Sequence, residues 1–376
     1  MRKHYKIIDL FCGAGGFTLS AHYAGFHTVL AIDADRDVTA SFTSNFVQTP
    51  LLLADISRLS PTYIRNKINS KKSTIDGIVG GPPCQGFSYI GRRQQNDERN
   101  SLVNHFFRIV AAIEPTFFVM ENVPGILHDF GRQILDSCIN LVHKRYEILG
   151  PLILDAADFG AATIRRRVFV IGYRPEYMGL LDEACINADK RKPVTVFDAI
   201  QDLPKLNTGY KTNGNSEYWA LYSQNINLKR ISVYARNARK APPKGSVSQT
   251  ISTAHAKGMI SGYQKTNHTR EVIERFSRIS PGEIDKVSKC QRLSWDLPCR
   301  TLRAGTGKDK GGYQSIRPIH PKEDRVISVR EAARIQGFPD WFQFHPTMWH
   351  SFRMIGNSVS PYIGRAILGQ IAKRLE

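Results

Sequence analysis

The chain has 376 residues, enough for one large domain or for two of ordinary size, each with its own core. Lys and Arg number 52 against 33 Asp and Glu, a formal net charge of +19; that exceeds what solubility asks and makes a polyanion the natural partner. The six cysteines, at 12, 84, 138, 185, 290 and 299, form no CxxC pair and have no histidine at zinc-finger spacing, which argues against a metal site and a disulfide framework. No early apolar run has the length of a signal peptide or membrane span, so a soluble cytosolic protein with reduced thiols is expected.

Taken in chain order, short apolar runs alternate with helix-like segments. "KIIDLF" reads as a strand, "GGFTLSAHYAGF" as a helix, "TVLAID" as a strand, "DVTASFTSNF" as a helix and "LLLADI" as a strand. "IDGIVGG", "TFFVMENV" and "RRVFVIGY" continue the strands, while "HFFRIVAAIEP" and "FGRQILDSCINLVHKRY" supply further helices. Near-continuous apolar strands separated by helices predict an α/β, doubly wound, mostly parallel sheet covered on both faces. Such sheets bind ligands at the carboxyl ends of their strands.

Beyond about Tyr173 the βα rhythm is lost. Residues from about 190 to 290 are rich in Asn, Ser, Lys and Arg and include "LKRISVYARNARKAPPKG", whose cations suit phosphate or guanine contacts or plain solvation. They are read as a second, smaller domain of irregular strands and loops. The last segment, "SPYIGRAILGQIAKRLE", has helical apolar spacing and is expected to pack back on the first domain.

The strand-end loops carry the chemistry. "DLFCGAGGFTLS" aims backbone N–H groups and a helix dipole at a ligand. Gly13 and Gly15 fit the dinucleotide fingerprint, but Thr18 takes its last glycine position. A nucleoside without a pyrophosphate, such as S-adenosylmethionine, stays compatible, with its carboxylate on the turn and Phe11 against the adenine. Asp33, with Asp35 as competitor, is placed to take ribose hydroxyls, and Asp55 to accept from the adenine amino group; each alone also reads as a helix cap. Cys84 follows the Gly80-Gly81-Pro82-Pro83 break on the same rim. It is read as a nucleophile rather than a core filler or metal ligand, with the cations of "GRR" at 91–93 and "IRRR" at 164–167 to favour its thiolate. Glu121 follows four apolar residues, where burial would suit it to act as an acid or hydrogen-bond donor; capping the next turn is the alternative.

Together these residues resemble the cytosine-C5 DNA methyltransferases. "DLFCGAGGF", "GGPPCQGFS", "ENVPG", "RRRVFVIG", "RLSWDLPCRTL", "REAARIQGFPDWF" and "IGNSVSPYIGRAI" occur in that family's order, over residues 7 to about 370 apart from the basic segment. The resemblance implies that Cys84 adds to C6 of a flipped cytosine, that Glu121 holds N3, that Arg165 contacts the base O2 and that Arg167 supports the loop. It implies S-adenosyl-L-methionine as methyl donor, held by Phe11, Gly13, Gly15, Gly16, Asp33, Asp55, Ile56, Pro82, Asn357, Ser358 and Val359, with no metal. The organisation it implies is a catalytic and cofactor-binding domain at 1–185, a target-recognition domain at 186–348 and a C-terminal helix at 349–376. Double-stranded DNA is the implied partner of a monomer, in a bacterial, nucleoid-associated setting, with a restriction endonuclease as functional counterpart outside any stable complex. A transfer-RNA methylase on the same scaffold, a catalytically silent DNA-binding module and a nicotinamide oxidoreductase are the competing readings. Three positions depart from the family pattern: Asp33 for glutamate, Thr163 for glutamine, and "GNSVSP" for "GNAVPP".

Overall fold

The computed structural model describes residues 5–68, 74–83, 101–206, 210–211, 218–222, 231–305 and 317–375. Strands β1 (Lys6–Leu10), β2 (His27–Asp33), β3 (Leu51–Leu53), β4 (Gly77–Gly80), β5 (Phe117–Asn122), β6 (Glu147–Asp155), β7 (Thr163–Ile164) and β8 (Arg166–Tyr173) run through the first half. Seven of them form one sheet in the order β3-β2-β1-β4-β5-β8-β6. The pairs from β3 to β5 are parallel, and β8 is antiparallel to both its neighbours. The mostly parallel sheet expected from the sequence is therefore present, with one reversed strand inside it.

Period-two alternation explains why both faces are covered. Ile7, Val79, Phe117, Val119, Phe169 and Ile171 point to one face and pack with Phe17, Ala21, Ile363, Ile367 and Ile371 of helices Gly16–Ala24 and Pro361–Ala372. Ile8, Leu10, Ile78, Phe118, Met120, Val168 and Val170 point to the other and pack with Val103, Phe106, Phe107, Val110 and Leu135 of helices Ser101–Ile113 and Asp129–Asn140. The C-terminal helix thus lies on the sheet beside the first helix.

The expected helix over "DVTASFTSNF" shrinks to Phe42–Asn45, because Asp35 Oδ1 takes the N–H groups of Asp37 and Val38 in a turn before a helix can start. Strand β6, which the sequence reading missed, is interrupted at Gly150-Pro151, where its register with β8 shifts. Beyond β8, strands β9 (Tyr210–Lys211), β10 (Tyr218–Leu221) and β11 (Met259–Ser261) form a small antiparallel sheet, and β12 (Cys299–Arg300) pairs parallel with β7. A third apolar cluster crosses between the regions, joining Phe42 and Phe46 to Phe338, Phe342 and helices Val196–Ile200, Val329–Gln336 and Met348–Asn357. No helix among the described residues is long and apolar enough to cross a membrane.

Candidate cofactor and target-base site

The parallel strands end on one rim. After β1 the chain turns sharply, with Phe11, Gly13 and Gly15 at φ 60°, 52° and 94°. Glycine takes that conformation freely, whereas Phe11 holds it at a cost of about 1–2 kcal/mol, a strain that concentrates at ligand sites. The Gly13 N–H donates to Asp33 Oδ2 at 2.8 Å and the Asp35 N–H to Asp33 Oδ1 at 2.9 Å, so Asp33 braces the turn while each oxygen keeps a lone pair for a hydroxyl. Burial raises the Asp33 pKa, and those backbone bonds work against the rise. Asp9 lies beneath, 1% exposed, accepting from the Thr18 hydroxyl at 2.6 Å, and burial pushes its pKa up to about 7. Thr18, the residue that breaks the dinucleotide fingerprint, therefore serves the floor of the turn.

The C-terminal motif closes the same loop. A Cβ on Gly16 would sit 2.5 Å from the Val359 carbonyl oxygen, so only glycine lets these two backbones meet. Ser358 is held by its hydroxyl on Met354 O at 2.7 Å and by Gln336 Nε2 on its carbonyl at 3.0 Å, while Asn357 is exposed at the helix end. Asp55 neighbours Asp33 through the Ala54 N–H, which donates to the Asp33 carbonyl at 2.9 Å. It is half-exposed and caps the short turn Ile56–Arg58 through Ser57, whose bonds lower its pKa. Buried Ile56 is fixed from behind, Arg108 Nη2 donating to its carbonyl at 3.0 Å. Two carboxylates to accept from hydroxyl and amino groups, with an aromatic ring and a buried aliphatic side chain for the apolar faces, suit an adenosyl amino acid.

Next along the rim, Glu121 and Asn122 end β5 and are 7% and 2% exposed. Asn122 Nδ2 donates to the buried Pro82 carbonyl at 3.2 Å, tying this strand end to the loop after β4. A Cβ on Gly81 would lie 3.2 Å from Glu121 Oε2, so the carboxylate rests over that loop. Cys84 and the cations at 91–93 lie outside the described residues. Arg167 Nε is 2.9 Å from Glu121 Oε1, an ion pair whose N–H is not aimed as a hydrogen bond. Arg165 is 2% exposed, and its Nε and Nη1 have no hydrogen-bond partner among the described residues. Burial, with the Arg167 charge adding to it, drives its pKa well below the usual guanidinium range. The Thr163 hydroxyl is 3.4 Å from the Arg300 carbonyl, so the residue that stands where the pattern has glutamine serves the β7–β12 pair.

Two features escaped the sequence reading. Arg239, one of the cations in "ISVYARNARK", is pinned to Asp202 at 2.7 Å and lies over the Tyr222 ring, away from the role of a phosphate or base contact. Asp37, His345 and His350 bring three ligand-capable atoms within 4.8 Å of one another. His345 Nδ1 already accepts the Thr347 N–H at 3.0 Å, so these groups are a charge cluster that, with the Arg353–Asp35 pair, joins the loop after β2 to helix Met348–Asn357.

Comparison with known proteins agrees with this geometry. The chain is 38% identical over 373 residues to the type II methyltransferase M.XorII of Xanthomonas oryzae pv. oryzae, covering 98% of this chain and 84% of that one. It is 30% identical to the type II methyltransferase M.AgeI of Thalassovita gelatinovora, covering 96% and 98%. Among solved structures, a candidate DNA modification methyltransferase encoded within an E. coli prophage superposes with TM-score 0.84 at 37% identity, covering 98% of this chain and 99% of that one. The S. pombe Dnmt2 methyltransferase, at TM-score 0.64 and 13% identity over 98% and 99%, shares the fold alone. The C-5 cytosine-specific DNA methylase model matches residues 5–373, and the chain belongs to that family: it is a DNA (cytosine-5)-methyltransferase that uses S-adenosyl-L-methionine.

Proposed function

We propose that this enzyme flips one cytosine out of a short duplex sequence and methylates it through a covalent bond between Cys84 and C6, as the protective half of a restriction–modification system. Addition of the thiolate at C6 makes C5 nucleophilic, and loss of the C5 proton followed by β-elimination returns Cys84 to its starting state. Glu121 holds N3 protonated and accepts from the N4 amino group, Arg165 contacts O2, and Arg167 positions Glu121. The sulfonium donor supplies the methyl group, with Phe11, Gly13, Gly15, Gly16, Asp33, Asp55, Ile56, Pro82, Asn357, Ser358 and Val359 forming its site. Residues 186–348 carry target recognition, and the protein acts as a monomer that forms no stable complex with a nuclease.

The observation that supports this reading most directly is the buried Arg165 guanidinium, whose Nε and Nη1 have no hydrogen-bond partner among the described residues, beside the Glu121–Arg167 pair. An unsatisfied buried cation costs free energy, which a bound base with a carbonyl oxygen would relieve. The net charge of +19 suits phosphate contacts, which hold a duplex whose target base has left the stack. Expression in a host lacking cytosine methylation, followed by bisulfite sequencing, tests the proposal. Methylated cytosines confined to one short recurring sequence are expected. Unmethylated DNA from cells holding soluble protein would overturn it, as would full methylation by a Cys84→Ala variant.

A further inference from the structure

The peptide unit between Ile164 and Arg165 is gripped at both of its polar ends by side chains remote in the chain. Asp155, the last residue of β6, accepts the Arg165 N–H at Oδ1 (2.8 Å), and the same oxygen accepts the Ala157 N–H (3.1 Å). On the opposite side of that peptide plane the Thr301 hydroxyl, just past β12, donates to the Ile164 carbonyl at 2.6 Å. The Arg165 carbonyl is held in turn by the Ala156 N–H at 3.1 Å. Because the peptide is planar, fixing its N–H and its C=O fixes its orientation, leaving the arginine little beyond its own side-chain torsions.

Strand pairing supplies only part of this grip, at the two carbonyls, and leaves the Arg165 N–H to a side-chain acceptor. The β7–β12 ladder spans two residues a side and ends at Ile164↔Arg300, and the β6–β8 ladder begins at Asp155↔Arg166, so Arg165 is the joint where one ladder hands over to the other. The side chain at 163 does not brace Arg165 either, since the Thr163 hydroxyl faces the Arg300 carbonyl. We propose that Asp155 and Thr301 are positioning residues for Arg165, a side-chain clamp that presents to the target base a guanidinium whose Nε and Nη1 have no hydrogen-bond partner among the described residues. The proposal rests on the role given to Arg165 above. What the clamp needs at 155 is an acceptor oxygen, so asparagine should serve as well as aspartate; what it needs at 301 is a hydroxyl, so serine should serve as well as threonine.

The test is steady-state methylation of unmethylated host genomic DNA by the full-length enzyme with radiolabelled S-adenosylmethionine. Asp155→Ala, Asp155→Asn, Thr301→Val and Thr301→Ser are compared, the Ala and Val changes also in an Arg165→Met background. Asp155→Ala is expected to lower kcat about a hundredfold and Thr301→Val about tenfold, with KM for the methyl donor unchanged; Asn and Ser stay within about threefold of wild type. In the Arg165→Met background neither change lowers the residual rate further, because the group they position is gone. Wild-type kcat in Asp155→Ala and Thr301→Val, or the same fold-losses with and without Arg165, would overturn the clamp. A wild-type rate in Arg165→Met alone would instead overturn the role of Arg165, a result that the wild-type background by itself could not mimic.

Discussion

Arg334 and Arg165 are both buried guanidiniums, 0% and 2% exposed, and their surroundings are opposite. Arg334 donates to Asp340 Oδ1 and Oδ2 at 2.5 and 2.7 Å, to Asp202 Oδ1 and Oδ2 at 3.0 and 3.3 Å, and to the Ala199 carbonyl at 2.9 Å. Asp202 is bonded by Arg239 as well, and the two cations hold its pKa down against the rise that burial alone would cause. Around Arg165 the backbone is tightly held while Nε and Nη1 are left without partners among the described residues. A buried ion needs compensation, so a saturated one is part of the framework, whereas an unsaturated one at a rim is what the proposed base contact would complete.

That contrast can be broken by substitution. Arg334→Leu should strand the buried Asp340 carboxylate and leave Asp202 with Arg239 alone, costing about 3–5 kcal/mol, read as a large fall in Tm. Arg165→Met should do the reverse: Tm unchanged or higher, because an uncompensated buried charge is removed, with kcat down about a hundredfold or more. A matching loss of stability in the two variants would erase the distinction. Glu121→Gln comes next. It keeps the shape but removes the carboxylate that faces Arg167, and kcat should fall about a hundredfold at unchanged donor KM.

Gly16→Ala sharpens the comparison on the cofactor side. A methyl group meeting the Val359 carbonyl must push two backbones apart, costing about 1–3 kcal/mol and raising donor KM more than it lowers kcat. The last effect is a pH dependence, gradual at any one pH. The folded Asp9 has a pKa of about 7, above the value of about 3.9 in an unfolded chain, so its contribution is complete below pH 4 and is lost as pH rises toward 7. Asp9→Asn should remove that decline, a difference in slope of at most about 1.4 kcal/mol per pH unit between pH 4 and 7 in denaturant titrations. Parallel stability curves would show that Asp9 does not titrate there.

The framework was legible where one local signal sufficed. The apolar runs Ile7–Leu10, Ile78–Val79 and Phe117–Met120 announced strands buried on both faces, and the glycines before Phe17 announced a sharp turn into a helix. Strand direction was not legible, because alternation is the same whichever way a strand runs, so the reversal of β8 between β5 and β6 could not be seen. Nor was β6 itself, punctuated by Gly150-Pro151 as a turn would be. Charge misled at Arg239, since a basic run does not reveal that one of its members faces a buried Asp202. Asp155 and Thr301 reach Arg165 from separations no spacing rule covers, and the family pattern pointed to position 163 instead.

The contact between Gly16 and Val359 also sets an order of events during synthesis. The ribosome releases the glycine turn hundreds of residues before Val359, a delay of about tens of seconds at ordinary elongation rates. Through that interval the helix Gly16–Ala24 has no Pro361–Ala372 to cover its apolar side. A nascent chain is therefore unable to close the glycine turn before Val359 emerges. Interrupted translation yields fragments that present a sticky helix to chaperones and proteases while transferring no methyl groups.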